Sequence, residues 1–137
     1  MEAYLFKIHL LFSLYMLGLI WFVQIVHYPL FAKIKADNFV DYEQQHTHKT
    51  SFITAPPMLV ELATAILLLY LNFGDLLHWI NTIGVIGLWA STFFIQVPLH
   101  QQLSQNHDIN AIQKLVRSNW IRTIIWTLRG LLLVFLF

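Results

Sequence analysis

Apolar residues crowd four stretches of the chain, roughly 4–28, 55–73, 77–98 and 117–137. Each is about the 20 residues that a helix needs to cross a bilayer. The second and third are joined by the short run "NFGD", whose Gly74 and Asp75 suit a tight turn. The other two connections are longer and resemble each other. Each opens on a proline, in "HYPLF" and "VPLHQQL", and continues with an Asp-led amphipathic run, from Asp37 and from Asp108. An Asp so placed predicts a helix N-cap. In the first run Phe39, Tyr42, Glu43, His46 and Thr50 share one helical face; in the second Ile109, Ile112 and Val116 do, with Leu115 beside them. Pro56 and Pro57 are expected to restart the chain at the first turn of the second span. Each half therefore reads as span, interfacial helix, span, an internal repeat of pattern rather than identity. The pattern predicts one all-α integral membrane domain over residues 1–137. Four transmembrane helices form a bundle, with interfacial helices in the two long same-side connections.

Composition agrees with that architecture. The chain is 58% hydrophobic and 11% charged, against roughly 25% charged for an ordinary soluble domain. The abundant aromatics suit membrane interfaces, and Trp21, Trp79, Trp89 and Trp120 read as packing or interface anchors. The first apolar run is too long for a signal-peptide core and lacks a small-residue cleavage site, so it is expected to stay as a span. There are no cysteines, which excludes disulfides and thiolate chemistry. A net charge of +1 gives no field for nucleic acid. Lys33, Lys35, Lys49, Lys114 and Arg117 lie on the side of the long connections, and only Lys7 lies near the other. The positive-inside rule then places the long connections in the cytoplasm and both termini outside it.

Within this frame the remaining polar residues gather at one level. Gln24 and His27 end the first span, Glu43 and His46 lie on the first amphipathic run, and Glu61 enters the second span. Gln96 and His100 end the third, while Asn119 and Arg122 open the fourth. Arg129 lies deeper on the face of Arg122 and Trp126. An ionisable group inside a span is costly and pairs with something, which makes Glu61 and one of the two arginines expected partners. His27, Glu43, His46, Glu61 and His100 form a candidate metal set, since imidazole and carboxylate suit Fe, Zn, Mn or Cu. A symmetric di-iron site is not expected, because Lys114 and Arg117 stand where the second half would need ligands. His27 and His100, ending two helices at one level, are alternatively candidate axial ligands of a haem. His48 faces away from Glu43 on the same run, His107 lies in a solvated loop, and His9 and His78 lie near the opposite membrane face as structural residues. Gly84 and Gly87 are expected to allow close helix contact.

The runs "YMLGLIWFVQIVHYPLF", "VPLHQQL" and "NWIRTIIWTLRG" resemble those of a family of small bacterial four-span membrane proteins, over nearly the whole chain. The motif positions are Trp21, Gln24, His27, Tyr28, Pro29, Pro98, His100, Asn119, Trp120, Arg122, Thr123, Trp126 and Arg129. More loosely, in architecture and in its tryptophan–arginine patch, the chain is similar to anthrone-oxygenase-like membrane proteins. The resemblance implies a bacterial inner-membrane location and lends slight weight to oxygenase chemistry.

The expected function is a membrane-embedded, metal-dependent enzyme acting on a lipophilic small molecule that enters from the bilayer. Oxidation is its first chemistry and hydrolysis its second. Glu61, Arg122, Arg129 and Asn119 are the expected catalytic groups, as base, as substrate-orienting cations and as an oxyanion donor. The alternatives are a haem protein, or a binding or proton-linked transport module working as a homo-oligomer. A phosphate loop, a dinucleotide glycine motif and a nucleophile elbow are all missing, and Ser104 and Ser118 lack an elbow context.

Overall fold

The structure, a computed structural model, describes residues 2–135. These form four long helices with no strand among them: α1 Glu2–Phe31, α2 Ala36–Leu71, α3 Leu76–Leu103 and α4 Ile109–Phe135. Each rod packs on two neighbours, α1 on α2 and α4, and α3 on α2 and α4. Short connections make the helices alternate in direction, as in an up-down bundle. The end holding residues 32–35 and 104–108 is called the loop end below. The α2–α3 turn lies at the opposite end, where Asn72 donates to Glu2 at 2.7 Å.

The two interfacial helices are not separate elements. Each continues without a break into the long helix that follows, so α2 runs through Pro56 and Pro57 instead of restarting there. Two prolines remove two ladder donors, which ordinarily breaks a helix. Here both flanks are fixed by packing, with Phe39 and Glu43 buried before the prolines and Met58 and Glu61 buried after them. Thr54 donates to the Thr50 carbonyl at 3.0 Å just ahead of the pair, a hydroxyl back-bond that accommodates a bend. The helix also starts earlier than expected. Lys35, with extended backbone, precedes Ala36, and Asp37 falls in the first turn, where a carboxylate meets the positive end of the dipole. Asp108 and Asp75 do cap their helices, accepting from Asn110 N at 2.8 Å and Leu77 N at 2.9 Å.

The internal repeat has a backbone counterpart. In α1 a π-helical turn, Val23–His27, precedes Pro29; in α3 a second, Thr92–Gln96, precedes Pro98. Tyr28 N–H reaches the Val23 carbonyl and Val97 N–H the Thr92 carbonyl, each bond spanning five residues. A proline has no N–H to continue the ladder, and a widened turn just ahead of it takes up the mismatch.

Three of the helices, α1, α2 and α3, are long and apolar enough to cross a membrane. In α4 the two arginines, Arg122 and Arg129, lower the average. Much of the outer surface is apolar, and the interior holds charged groups beside its apolar core. Large side chains such as Phe94, Tyr70, Ile83 and Leu128 are exposed, while Glu43, Glu61, Asn119 and Arg129 are buried. That arrangement is consistent with contact with a lipid bilayer. At the loop end Phe31, Phe39, Leu103, Ile112 and Leu115, drawn from all four helices, close the interior with an apolar plug.

Candidate functional site

Beneath the plug, one to two turns inward on α1, α2 and α3, lie Tyr28, Glu43, His46 and His100. Glu43 and His46 are three residues apart and so share a face of α2. Glu43 is fully buried, His46 partly so, and His48, on the other face, is exposed against Phe52. One ligand atom from each of Glu43, His46 and His100 lies within 4.8 Å of the others, a spacing that could hold a metal ion. His100 Nδ1 lies 2.5 Å from Glu43 Oε1, and the Tyr28 hydroxyl lies 2.9 Å from His100 Nε2. Glu43 Oε2 is buried with no hydrogen-bond partner. Both bonds of His46 fall on Nδ1, to His27 Nε2 at 3.0 Å and to the Thr50 hydroxyl at 3.0 Å. His27 thus holds His46 from behind.

Arg122 lies next to this group. Its Nε donates to Asn119 Oδ1 at 3.0 Å, and its Nη2 donates to the same oxygen and to the Tyr28 hydroxyl at 3.3 Å. Asn119 in turn donates to Gln24 Oε1 at 2.9 Å, and Thr123 donates to that oxygen at 3.2 Å. Asn119 is therefore engaged at both ends of its amide and positions Arg122; it is not a spare oxyanion donor. Gln96 is occupied too, accepting from Ser91 and donating to Ser118.

Glu61 and Arg129 belong to a different cluster. Arg129 Nη1 donates to Glu61 Oε1 at 2.7 Å, and Ser13 and Trp126 also donate to that carboxylate, at 2.7 Å and 3.1 Å. Arg129 Nε donates to Asn81 Oδ1 at 3.1 Å, and Nη2 lies 3.3 Å from His9 Nε2. The expectation that Glu61 joins His27, Glu43, His46 and His100 is overturned by the unbroken course of α2. Glu43 and Glu61 are 18 residues apart on one helix, about 27 Å at 1.5 Å per residue. Only a restart at the prolines would have let the chain fold Glu61 back to the histidines. Arg129 is likewise about 10 Å along α4 from Arg122, so the two arginines serve different clusters. His9, expected to be structural near the far face, is fully buried in this network.

Between the clusters runs a cavity of about 580 Å³. Its polar end carries Tyr28, His46, His100 and Arg122, and its apolar end carries Met16, Ile20, Met58 and Trp126. Gln44, Ser51, Val97 and Gln101 line it along the seam between α2 and α3 and are exposed, which marks the mouth. The Gln44 side chain donates to the Ser104 carbonyl across that seam at 3.0 Å.

Sequence reasoning gave no role to Tyr28, which links His100 to Arg122, nor to Ser13, Asn81 and Trp126 around Glu61. Polar pairs one turn apart within apolar runs, His9 with Ser13 and Glu61 with Thr64, were the available signal. His107 is not a solvated loop residue, since it packs edge-on against Phe39 with ring centroids 4.8 Å apart. His78 meets Asp75 at 2.8 Å and belongs to the α2–α3 turn. Asp75 itself is held below the usual carboxylate range, chiefly by the Leu77 amide and then by His78.

No family model, no curated protein and no solved structure matches the chain. The likeness to small four-span bacterial membrane proteins rests on motif residues, and the looser one to anthrone-oxygenase-like proteins on architecture and a tryptophan–arginine patch.

Proposed function

We propose that the protein is a four-span membrane enzyme. A metal ion held by Glu43, His46 and His100 would act on a lipophilic small molecule lodged in the cavity. The observation that carries this reading is the buried, unpartnered Oε2 of Glu43 beside two imidazoles in ligand range. A buried carboxylate oxygen without a partner is costly, and a cation satisfies it. The surroundings fit a metal as well. His100 can donate its second ring N–H to the Tyr28 hydroxyl, and His27 fixes the ring of His46, as outer partners of metal-bound histidines do. Three protein donors leave coordination positions open towards the cavity, the requirement for a catalytic rather than a structural ion. A mixed imidazole and carboxylate set with open positions suits Fe, Mn, Cu or Zn. Oxidation of the substrate, with dioxygen as electron acceptor, is the reaction class we favour. A bare ion suits the geometry better than a haem between His27 and His100. The His46 ring stands between those two, 4.6 Å from one centroid and 5.5 Å from the other.

The fourth span is part of the proposal. Averaged around its circumference α4 is too polar, but both arginines point inward. The face that lipid would touch carries Ile121, Ile124, Leu128, Leu131 and Val134, all exposed. The positive residues at the loop end, Lys33, Lys35, Lys49, Lys114 and Arg117, are exposed and favour a cytoplasmic loop end in a bacterial inner membrane.

Metal analysis of gently purified protein tests the reading. A stoichiometric transition metal is expected, retained in His48→Ala and lost in His46→Ala and His100→Ala. Protein that is metal-free and gains no thermal stability from any of the four ions would refute it.

A further inference from the structure

The two buried arginines differ in one respect. Arg129 is neutralised by Glu61. Arg122 is 8% exposed, lines the cavity, and no carboxylate among the described residues lies within ion-pair range of it. Its bonds go to the Asn119 amide oxygen and the Tyr28 hydroxyl. The nearby acid, Glu43, is turned to His100. A buried cation without a counter-ion is held at a cost unless something else supplies the charge. The neighbouring residues also fix its aim, because Gln24 holds Asn119 and Asn119 holds the guanidinium. One turn further along α4, Trp126 begins the apolar end of the same cavity, with Met16, Ile20 and Met58 opposite.

We propose that Arg122 is the receptor for an anionic oxygen at the head of a single-chain lipophilic ligand, whose apolar body lies along Met16, Ile20, Met58 and Trp126. This deepens the proposed function by naming its substrate class, and it shares the cavity with that reading but not the metal. A guanidinium presents a planar fork of donors suited to a carboxylate or a phosphate oxygen pair. Size selects one chain over two. A cavity of about 580 Å³ holds roughly 20 groups at about 30 Å³ each, the share of a water molecule in the liquid, which is room for one chain and its head, while a second chain would have to stay outside the seam. The seam between α2 and α3 admits the ligand from the side, so the plug at the loop end need not open.

The test uses the detergent-solubilised full chain and reads saturable quenching of the cavity tryptophan. The probes are 11-bromoundecanoate and its uncharged counterpart, 11-bromoundecanol. The carboxylate is expected to bind at least tenfold more tightly than the alcohol. Arg122→Gln should abolish that preference while leaving alcohol binding in place, which also shows that the variant is folded. Met58→Trp should weaken both ligands by filling the apolar end. Dodecyl phosphate competing better than the carboxylate would identify the head group as phosphate and leave the proposal standing. Equal binding of acid and alcohol, or a preference that survives Arg122→Gln, would overturn it. So would competition by dioleoyl phosphatidylglycerol as strong as that of the single-chain acid. Repeating the titration after chelation and with His46→Ala separates the two readings. The acid preference should persist there even if no metal is ever bound, and its absence from metal-loaded protein would defeat this inference alone.

Discussion

Gly84 and Gly87 lie three residues apart on α3, and the same substitution should have opposite effects at the two. A Cβ added at Gly84 would come within 2.5 Å of Arg129 Cδ and 3.0 Å of Cγ. These atoms lie in the middle of a side chain whose far end is fixed by Glu61 and Asn81, so it cannot swing aside cheaply. Forcing a methyl into a packed interior costs about 1–3 kcal/mol, and disturbing a hydrogen bond to a charged group adds about 1.5–3 kcal/mol. The helix itself gains about 1 kcal/mol when alanine replaces glycine. The net expectation for Gly84→Ala is a loss of about 1.5–5 kcal/mol. At Gly87 the nearest atom is Ile125 Cδ1 at 3.6 Å, ordinary contact, so Gly87→Ala keeps the propensity gain and should stabilise by up to about 1 kcal/mol. Equilibrium unfolding of both variants in one detergent, followed by circular dichroism, gives the comparison. If Gly84→Ala were as stable as Gly87→Ala, Arg129 would not lie across Gly84, and the account of the Glu61 cluster would fail with it.

Other outcomes follow from the same geometry. Glu61→Gln leaves Arg129 buried without its counter-charge and should cost about 3–5 kcal/mol. Exchanging both residues, as Glu61→Met with Arg129→Met, should cost less than the sum of the two single changes in an unfolding double-mutant cycle; additivity would dissolve the pair. Asp75 gives a pH signature. Its folded-state pKa is lowered by the Leu77 amide and then by His78. The stabilisation it confers is therefore complete above the ordinary carboxylate range and is lost as pH falls through the lowered value. Asp75→Asn, which keeps a capping oxygen, should flatten the acid limb of α2–α3 turn protection in hydrogen exchange. An unchanged limb would show that another group sets it.

Much of the architecture could be read along the chain, because long apolar helices announce themselves locally. Four apolar runs, the "NFGD" turn and the prolines after the first and third runs depend only on neighbours in sequence, and the turns and caps at Asp75 and Asp108 followed from them. The two faces of the run from Asp37 were also legible, since helical spacing alone puts Glu43 and His46 together and His48 apart. What the sequence could not decide was whether α2 breaks at Pro56 and Pro57. Propensity argues for a break, and only packing on both flanks overrules it. That one outcome sets the position of Glu61, and with it the division of a single imagined site into two clusters. The pairings of Arg129 with Glu61 and of Arg122 with Tyr28 are likewise tertiary. Both arginines share a helical face and look equivalent in sequence, and only the helix packed opposite each one determines which is neutralised and which is left facing a cavity.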